Sequence, residues 1–542
     1  MFKKLLSTFV AVLMILTFCS CSKDTGEGKQ VVYPIDVLPT YLDPQIVTGE
    51  GNRIIVANCF EGLVRLDADG NIAPGVATSW DVSDGGLTYT FKLRDDAMWR
   101  VPSSAEDFLG ENFEQAYDFR VTADDFVFAF GRALSASTGS AYAHDLTSIK
   151  NGAAVLNGTV PVGQLGVYAK DDKTLVINLE TADSDFLYTL TTPVAMPCHR
   201  IFFEKTGGRY GVDSKHFISN GPFYISSWIS DAQLTIKKSD VYAGEAQATA
   251  SSVYFSINNQ KETRLEKIKK GTYSVAPLTQ ELAAQAAENK KLTVYEYKNI
   301  VKSLFFNCTD TIASNRNLRL ALFTSLNADL LLNGMEKADG IIPETCVANS
   351  GNYRSQAGAV TTIQPDNAKA KAFWNTALKE LNVDKISLTV LCSTDDETAV
   401  KTALQDWQAL FGISCNINVE AVDAETMKKR VENKSYQLVF YPLAAESTLA
   451  LNTVSLFVTQ AKGNIAGYSN AEFDSHIASI VKADLKSKTA LLLAAEQKLI
   501  NDAVVYPIAN VSHHFASGEG VEGVYFNASG ELVYFSQTLI FG

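Results

Sequence analysis

Histidine is scarce in this chain, and the six residues present stand at no metal-binding spacing: His144, His199, His216, His476, His513 and His514. Only the last two adjoin, and neighbours on a strand point to opposite faces. No His-Glu-x-x-His and no Gly-x-Ser-x-Gly occurs, so the zinc-protease and nucleophile-elbow templates drop out. Cysteine is also sparse. Beyond Cys19 and Cys21 there are Cys59, Cys198, Cys308, Cys346, Cys392 and Cys415, with no metal-ligand spacing and no small disulfide scaffold. Cys392 and Cys415 bracket a strand–helix–strand pattern, which puts them at opposite strand ends, beyond disulfide reach. There is no low-complexity tract, no short-period repeat and, beyond the N-terminal segment, no long apolar run.

Two weak patterns are set aside on context. Gly518-Glu519-Gly520-Val521-Glu522-Gly523 has the glycines of a dinucleotide loop, but strand-like Val524-Tyr525-Phe526 follows where a helix is needed. Asp67-Ala68-Asp69-Gly70 begins like a calcium loop, but position 78 is Thr, so a hairpin turn is expected. No cofactor and no metal ligand is expected. The net charge of −13 disfavours nucleic acid or an anionic membrane surface as the main partner. With 46% hydrophobic residues over 542 positions, the chain can bury a large core in more than one lobe.

The N-terminus carries Lys3 and Lys4 before an apolar run from Leu5 to Phe18. That run is roughly 14 residues, short of the about 20 needed to span a bilayer, and reads as a secretory signal. Ser20 is small and precedes Cys21, which looks like the lipidation site of a bacterial lipoprotein. Phe18 departs from the Leu usual at that site. Residues 1–20 are therefore expected to be the signal and 21–30 a polar tether.

Local patterns lay out the rest. Leu63-Val64-Arg65-Leu66 runs into a polar turn at 67–71, and 87–94 alternates apolar and polar as a half-buried strand. Thr122 and Asp125 are placed to cap a helix through Phe130 and Leu134. The segments 165–169 and 174–179 read as paired strands, and 219–224 as a turn entering a strand. Further on, 386–391 is a strand. Thr394 with Glu397 forms a capping box, Val400, Leu404, Trp407 and Phe411 follow at helical spacing, and Gly412 stops the helix. A strand from Cys415 comes next. Residues 367–381 form an amphipathic helix, a helix pair runs from about 467 to 501, and 506–509 is a return strand. The first part favours an antiparallel sheet and the later part a parallel one, so two unlike lobes are expected.

The string from Phe60 to Trp99, FEGLVRLDADGNIAPGVATSWDVSDGGLTYTFKLRDDAMW, closely resembles the signature region of the bacterial extracellular solute-binding proteins, family 5, which serve oligopeptide and dipeptide ABC importers. Leu42-Asp43-Pro44, Val121-Thr122-Ala123, Ser219-Asn220-Gly221-Pro222 and the C-terminal third match in the same order. The resemblance implies an α/β fold, periplasmic-binding-protein-like of type II (cluster C): a two-lobe clamshell with an extra domain in the larger lobe. It divides the chain into domain I (31–51, 193–284 and 506–542), domain II (52–192, the extra domain) and domain III (285–505).

It also implies a monomeric, non-enzymatic, lipid-anchored receptor on the outer face of the cell membrane (periplasmic if there is an outer membrane). Such a receptor closes on a peptide and hands it to ABC permease subunits. An oligosaccharide, metal chelate or haem as ligand, or a sensory role, is the alternative. The ligand would add as a strand between Leu38, Pro39, Thr40 and Tyr41 on one side and Tyr441, Pro442, Leu443 and Ala444 on the other. The family's amine-gripping Asp is missing there, and Glu446 is the nearby acid. Asn220 is expected to hold a turn. Residues 100–120 form an insertion longer than the family's, and the family's Gly-Glu-Ile-Asp stretch appears as Gly271-Thr272-Tyr273-Ser274.

Overall fold

The computed structural model describes residues 25–541 except 184, 230–231, 350, 445–448, 460, 462, 482 and 484. The signal segment, Cys21 and Glu446 thus lie outside the described residues. Local chemistry builds the elements largely as the sequence suggests. Helix Ala123–Leu134 opens with a capping box in which the Thr122 amide donates to Asp125 Oδ2 at 3.0 Å. Helix Asn367–Leu381 has the expected bounds and is capped by Asp366, which accepts from the Lys369 amide at 3.0 Å. Helix Glu397–Phe411 differs. A 3₁₀ turn over Thr394–Asp396 precedes it, and the Thr394/Glu397 box does not start it. Asp396 is held from outside, by Lys302 at 2.6 Å and Ser393 at 2.5 Å, so a tertiary ion pair has replaced the local cap.

Two four-stranded sheets build the larger lobe. In one, Gln30–Ile35 lies at the edge beside Ser252–Ile257, followed by Gln233–Lys238 and Phe223–Ile229. The other is an antiparallel sheet ordered Ala77–Ser83, Thr88–Leu93, Thr174–Asn178, Val167–Asp171, so the alternating 87–94 pattern is a central strand. Both sheets feed one apolar core that includes Tyr33, Phe91, Phe126, Leu175 and Phe255. Asn220 ties this lobe together. It donates to the Glu61 carbonyl at 2.8 Å and accepts from the Glu61 amide at 3.1 Å, so its side chain joins two segments 159 positions apart, where a bond within its own turn was expected.

A mixed sheet runs from the larger lobe into the second, where helices cover both of its faces. Its order is Val275–Leu278, Val505–Ser517, Thr293–Phe306, Leu438–Ala444, Ile386–Ser393, Cys415–Val422. The last three strands are parallel, as the strand–helix–strand pattern requires, and the rest are antiparallel. One face is covered by helices 316–324, 367–381 and 397–411 around Trp374 and Trp407, with Trp374 stacked on Phe411 at 4.2 Å. The other is covered by 424–432, 471–481 and 485–501. The register sets Cys392 against Ala421 and Cys415 against Ile386, at opposite ends, and both thiols are free.

Two long strands, Thr293–Phe306 and Val505–Ser517, join the lobes. At one end Tyr295, Tyr297 and Phe515 pack on the larger lobe's core; at the other Leu304, Phe306, Tyr506 and Ile508 belong to the second. The pairing slips between Tyr297/Ile300 and again between Lys302/Ser303. Such irregularities bend and twist a strand pair locally. The apolar side chains change core across these slips, which makes this the junction about which the lobes are set.

Candidate functional site

The larger lobe's wall is built at the end of strand Gln30–Ile35. Val31, Tyr33 and Ile35 turn inward, and helix Glu50–Cys59 packs so closely that a Cβ on Gly51 would lie 3.2 Å from Ile35 Cγ2. The first turn of that helix therefore sits beside the end of the strand. Asp36 follows and is ion-paired with Arg264 and with Lys261, the latter at 3.7 Å. Arg53, one helical turn on from Glu50, meets Glu531 at 3.2 Å and lies 4.7 Å over the Tyr142 ring.

Glu50 has no hydrogen bond or ion pair among the described residues. Its side chain meets solvent while the surrounding protein still crowds it. Burial first, then the Asp36 and Glu531 carboxylates, raises its pKa to about 7. The Tyr33 hydroxyl, buried beneath, also lacks a hydrogen-bond partner, and Glu50 is its leading charged neighbour.

The second lobe contributes strand Leu438–Ala444. One edge pairs with Thr293–Phe306 from Leu438 to Ala444. On the other edge the parallel pairing with Ile386–Ser393 covers only Leu438 and Val439, so the strand runs on past that neighbour. Nearby, Asn510 donates to Glu344 at 2.6 Å, and Lys298 bridges Glu336 at 2.6 Å and Glu344 at 3.4 Å.

Of the residues singled out from sequence, Leu38 packs on the larger lobe's core, Pro39 is buried, Thr40 is exposed, and the Tyr41 hydroxyl bonds Thr48 Oγ1 at 2.8 Å. Val37, just ahead of them, is 71% exposed. Tyr441 and Ala444 are half-buried, Pro442 is exposed, and Leu443 points into the second core. Sequence reasoning missed Glu50, Arg53 and Glu531. Only Gly49-Glu50 ahead of an apolar run hinted at a helix start there.

On the rim, residues of the larger lobe touch the second lobe directly. Lys488, in helix Leu485–Asn501, bonds Asp183 at 3.0 Å and Asp185 at 3.1 Å. The Asn349 amide donates to Asp185 Oδ2 at 3.3 Å, and Asn452 donates to Asp145 Oδ1 at 2.8 Å. Among the described residues, none of the second lobe's apolar clusters includes one from 52–192. These rim contacts between the lobes are polar.

Comparison with known proteins places this arrangement. The family model described as bacterial extracellular solute-binding proteins, family 5 middle, matches residues 71–464. The chain belongs to this family, whose members bind solutes and are not enzymes. Among curated relatives, the dipeptide-binding protein DppE of Bacillus subtilis is 25% identical over 520 residues, covering 93% of this chain and 91% of that protein. The substrate-binding domain of an oligopeptide ABC transporter from Bacillus anthracis superposes with a TM-score of 0.75 at 24% identity, over 95% of this chain and 99% of that one. Listeria monocytogenes OppA bound to peptide gives 0.75 at 22%, with the same coverages. The fold is the two-lobe clamshell of periplasmic binding proteins. Among the described residues no helix is long and apolar enough to cross a membrane.

Proposed function

We propose that this protein is a lipid-anchored receptor that captures peptides between its lobes and delivers them to an ABC permease. Cys21 would carry the lipid, holding a monomer on the outer face of the membrane. Domain I (31–51, 193–284, 506–542) and domain II (52–192) make one jaw, domain III (285–505) the other, and the slipped pairing of the two long strands serves as hinge.

The observation that carries this reading is the pair of backbone edges: the chain leaving strand Gln30–Ile35 through Leu38–Tyr41, and the stretch Tyr441–Ala444 running past its parallel neighbour. An extended guest can bond to both by strand addition, which gives affinity with little sequence selectivity. Water takes up unused side-chain space. Glu446 takes the place of the family's amine-gripping Asp. Glu50, unpaired in the larger lobe's wall, offers a second counter-charge for an ammonium.

Calorimetry against di- to octapeptides tests the proposal. Saturable binding at one site is the expected result. Silence across a diverse peptide set, with binding of another solute instead, would move the ligand class while leaving the fold in place.

A further inference from the structure

We propose that Lys488, Asp183 and Asp185 form an electrostatic clasp through which the extra domain holds the closed clamshell shut. The inference rests on the hinge-closing reading above and adds what secures closure on the side of domain II.

The acids are prepared for the contact before the lobes meet. The Tyr89 hydroxyl, from a central strand of the extra domain, donates to the Asp183 carbonyl at 3.1 Å, and the Asp185 amide donates to Asp183 Oδ1 at 3.1 Å. Both carboxylates thus converge on one point. Lys488 arrives from the other lobe in the first turn of its helix. Its neighbour Thr489 accepts from the Asn349 side chain at 2.7 Å, and the amide of the same Asn349 reaches Asp185. Asn349 adopts a left-handed φ of 53°, a conformation asparagine tolerates, which aims that amide outward from its own lobe.

Burial makes the contact consequential. Lys488 is 6% exposed and Asp185 3%. Burial opposes charge on Lys488, but the Asp183 and Asp185 carboxylates outweigh it and hold its pKa above the ordinary lysine value. All three groups therefore give up water when the lobes close and regain it when they part. A well-formed buried pair breaks roughly even against its hydration, whereas a buried charge stripped of its partner is strongly unfavourable. The triad accordingly does not weld the lobes. It admits one closed register, in which a single ammonium meets two acids, and penalises every other. Among the described residues the second lobe's apolar clusters include none from 52–192, so the contacts seen on this rim are polar ones.

Small-angle scattering of the ligand-free full-length protein tests this without requiring the ligand to be known. Lys488→Met leaves two acids facing each other, and the open-to-closed ratio should rise by about tenfold or more, read as a larger radius of gyration. Lys488→Arg should keep the compact form. Raising NaCl should open the wild type and leave the Met variant nearly unchanged. A Lys488→Met protein with the wild-type scattering curve and salt response overturns the clasp. So does an Arg variant as open as the Met variant. Failure of peptide binding with these shifts intact would overturn the peptide reading alone.

Discussion

Two buried charge clusters, one inside the second lobe and one between lobes, use similar groups to opposite ends. Inside, the Glu496 carboxylate accepts from the Ile341 and Ile342 amides at 2.8 Å each, the Tyr353 hydroxyl at 2.6 Å and Arg354 at 2.8 Å. Every donor lies in the same lobe, so nothing about opening disturbs it. Gly340 is required beside it, because a Cβ there would fall 2.2 Å from the Arg354 guanidinium. Between lobes, Lys488 meets two acids across a polar seam, which the proposed hinge closure would make and break. The lesson is that burial of a charge does not reveal its role; where its partners are anchored does. A charge whose partners share its lobe fixes a local fold. A charge whose partners belong to another body governs how often the bodies meet.

The comparison can be broken in order of effect. Glu496→Ala strands a buried guanidinium and is expected to cost about 3–5 kcal/mol of second-lobe stability, seen as a lower thermal midpoint with or without ligand. A midpoint unchanged would remove the distinction at its stronger end. Lys488→Met should leave that midpoint close to wild type while weakening closure. Asn452→Ala removes one part-buried rim hydrogen bond to Asp145, worth about 0.5–1.5 kcal/mol, and should speed ligand release by no more than about tenfold. A larger effect would shift the clasp away from Lys488.

Glu50 gives the smallest and most pH-specific effect. Its pKa of about 7 lies above the ordinary 4.5, so the folded state holds this proton more tightly than the unfolded one. Its charge therefore costs stability that is absent below about pH 4.5, grows as pH rises toward 7 and is full above 7. Glu50→Gln should raise the thermal midpoint of the ligand-free protein at pH 8 and leave it unchanged at pH 4. A variant indifferent to pH would mean that Glu50 is an ordinary surface acid.

How much of this was legible in the sequence depended on the range of the interaction. Thr122 with Asp125 and the helix 367–381 were readable because the groups that fix them lie within one turn. Thr394 with Glu397 misled because Lys302 reaches Asp396 from another strand, which no local pattern contains. The strands Thr293–Phe306 and Val505–Ser517 were not recognised at full length. Their side chains change cores midway, so no single alternation runs through them. For the proposed site, Leu38–Tyr41 and Tyr441–Ala444 were singled out by matching blocks and not by any local chemistry. Arg53 and Glu531 are 478 positions apart and meet only in the folded chain.

The account stands or falls on closure about the strand junction in response to a peptide. Paired spin labels, one in the larger lobe's antiparallel sheet and one in the second lobe, would report the distance between lobes before and after adding a mixture of di- to octapeptides. A single short-distance population gaining weight with peptide is the predicted result. A distance distribution that peptide leaves unmoved, while calorimetry records saturable binding, would contradict it.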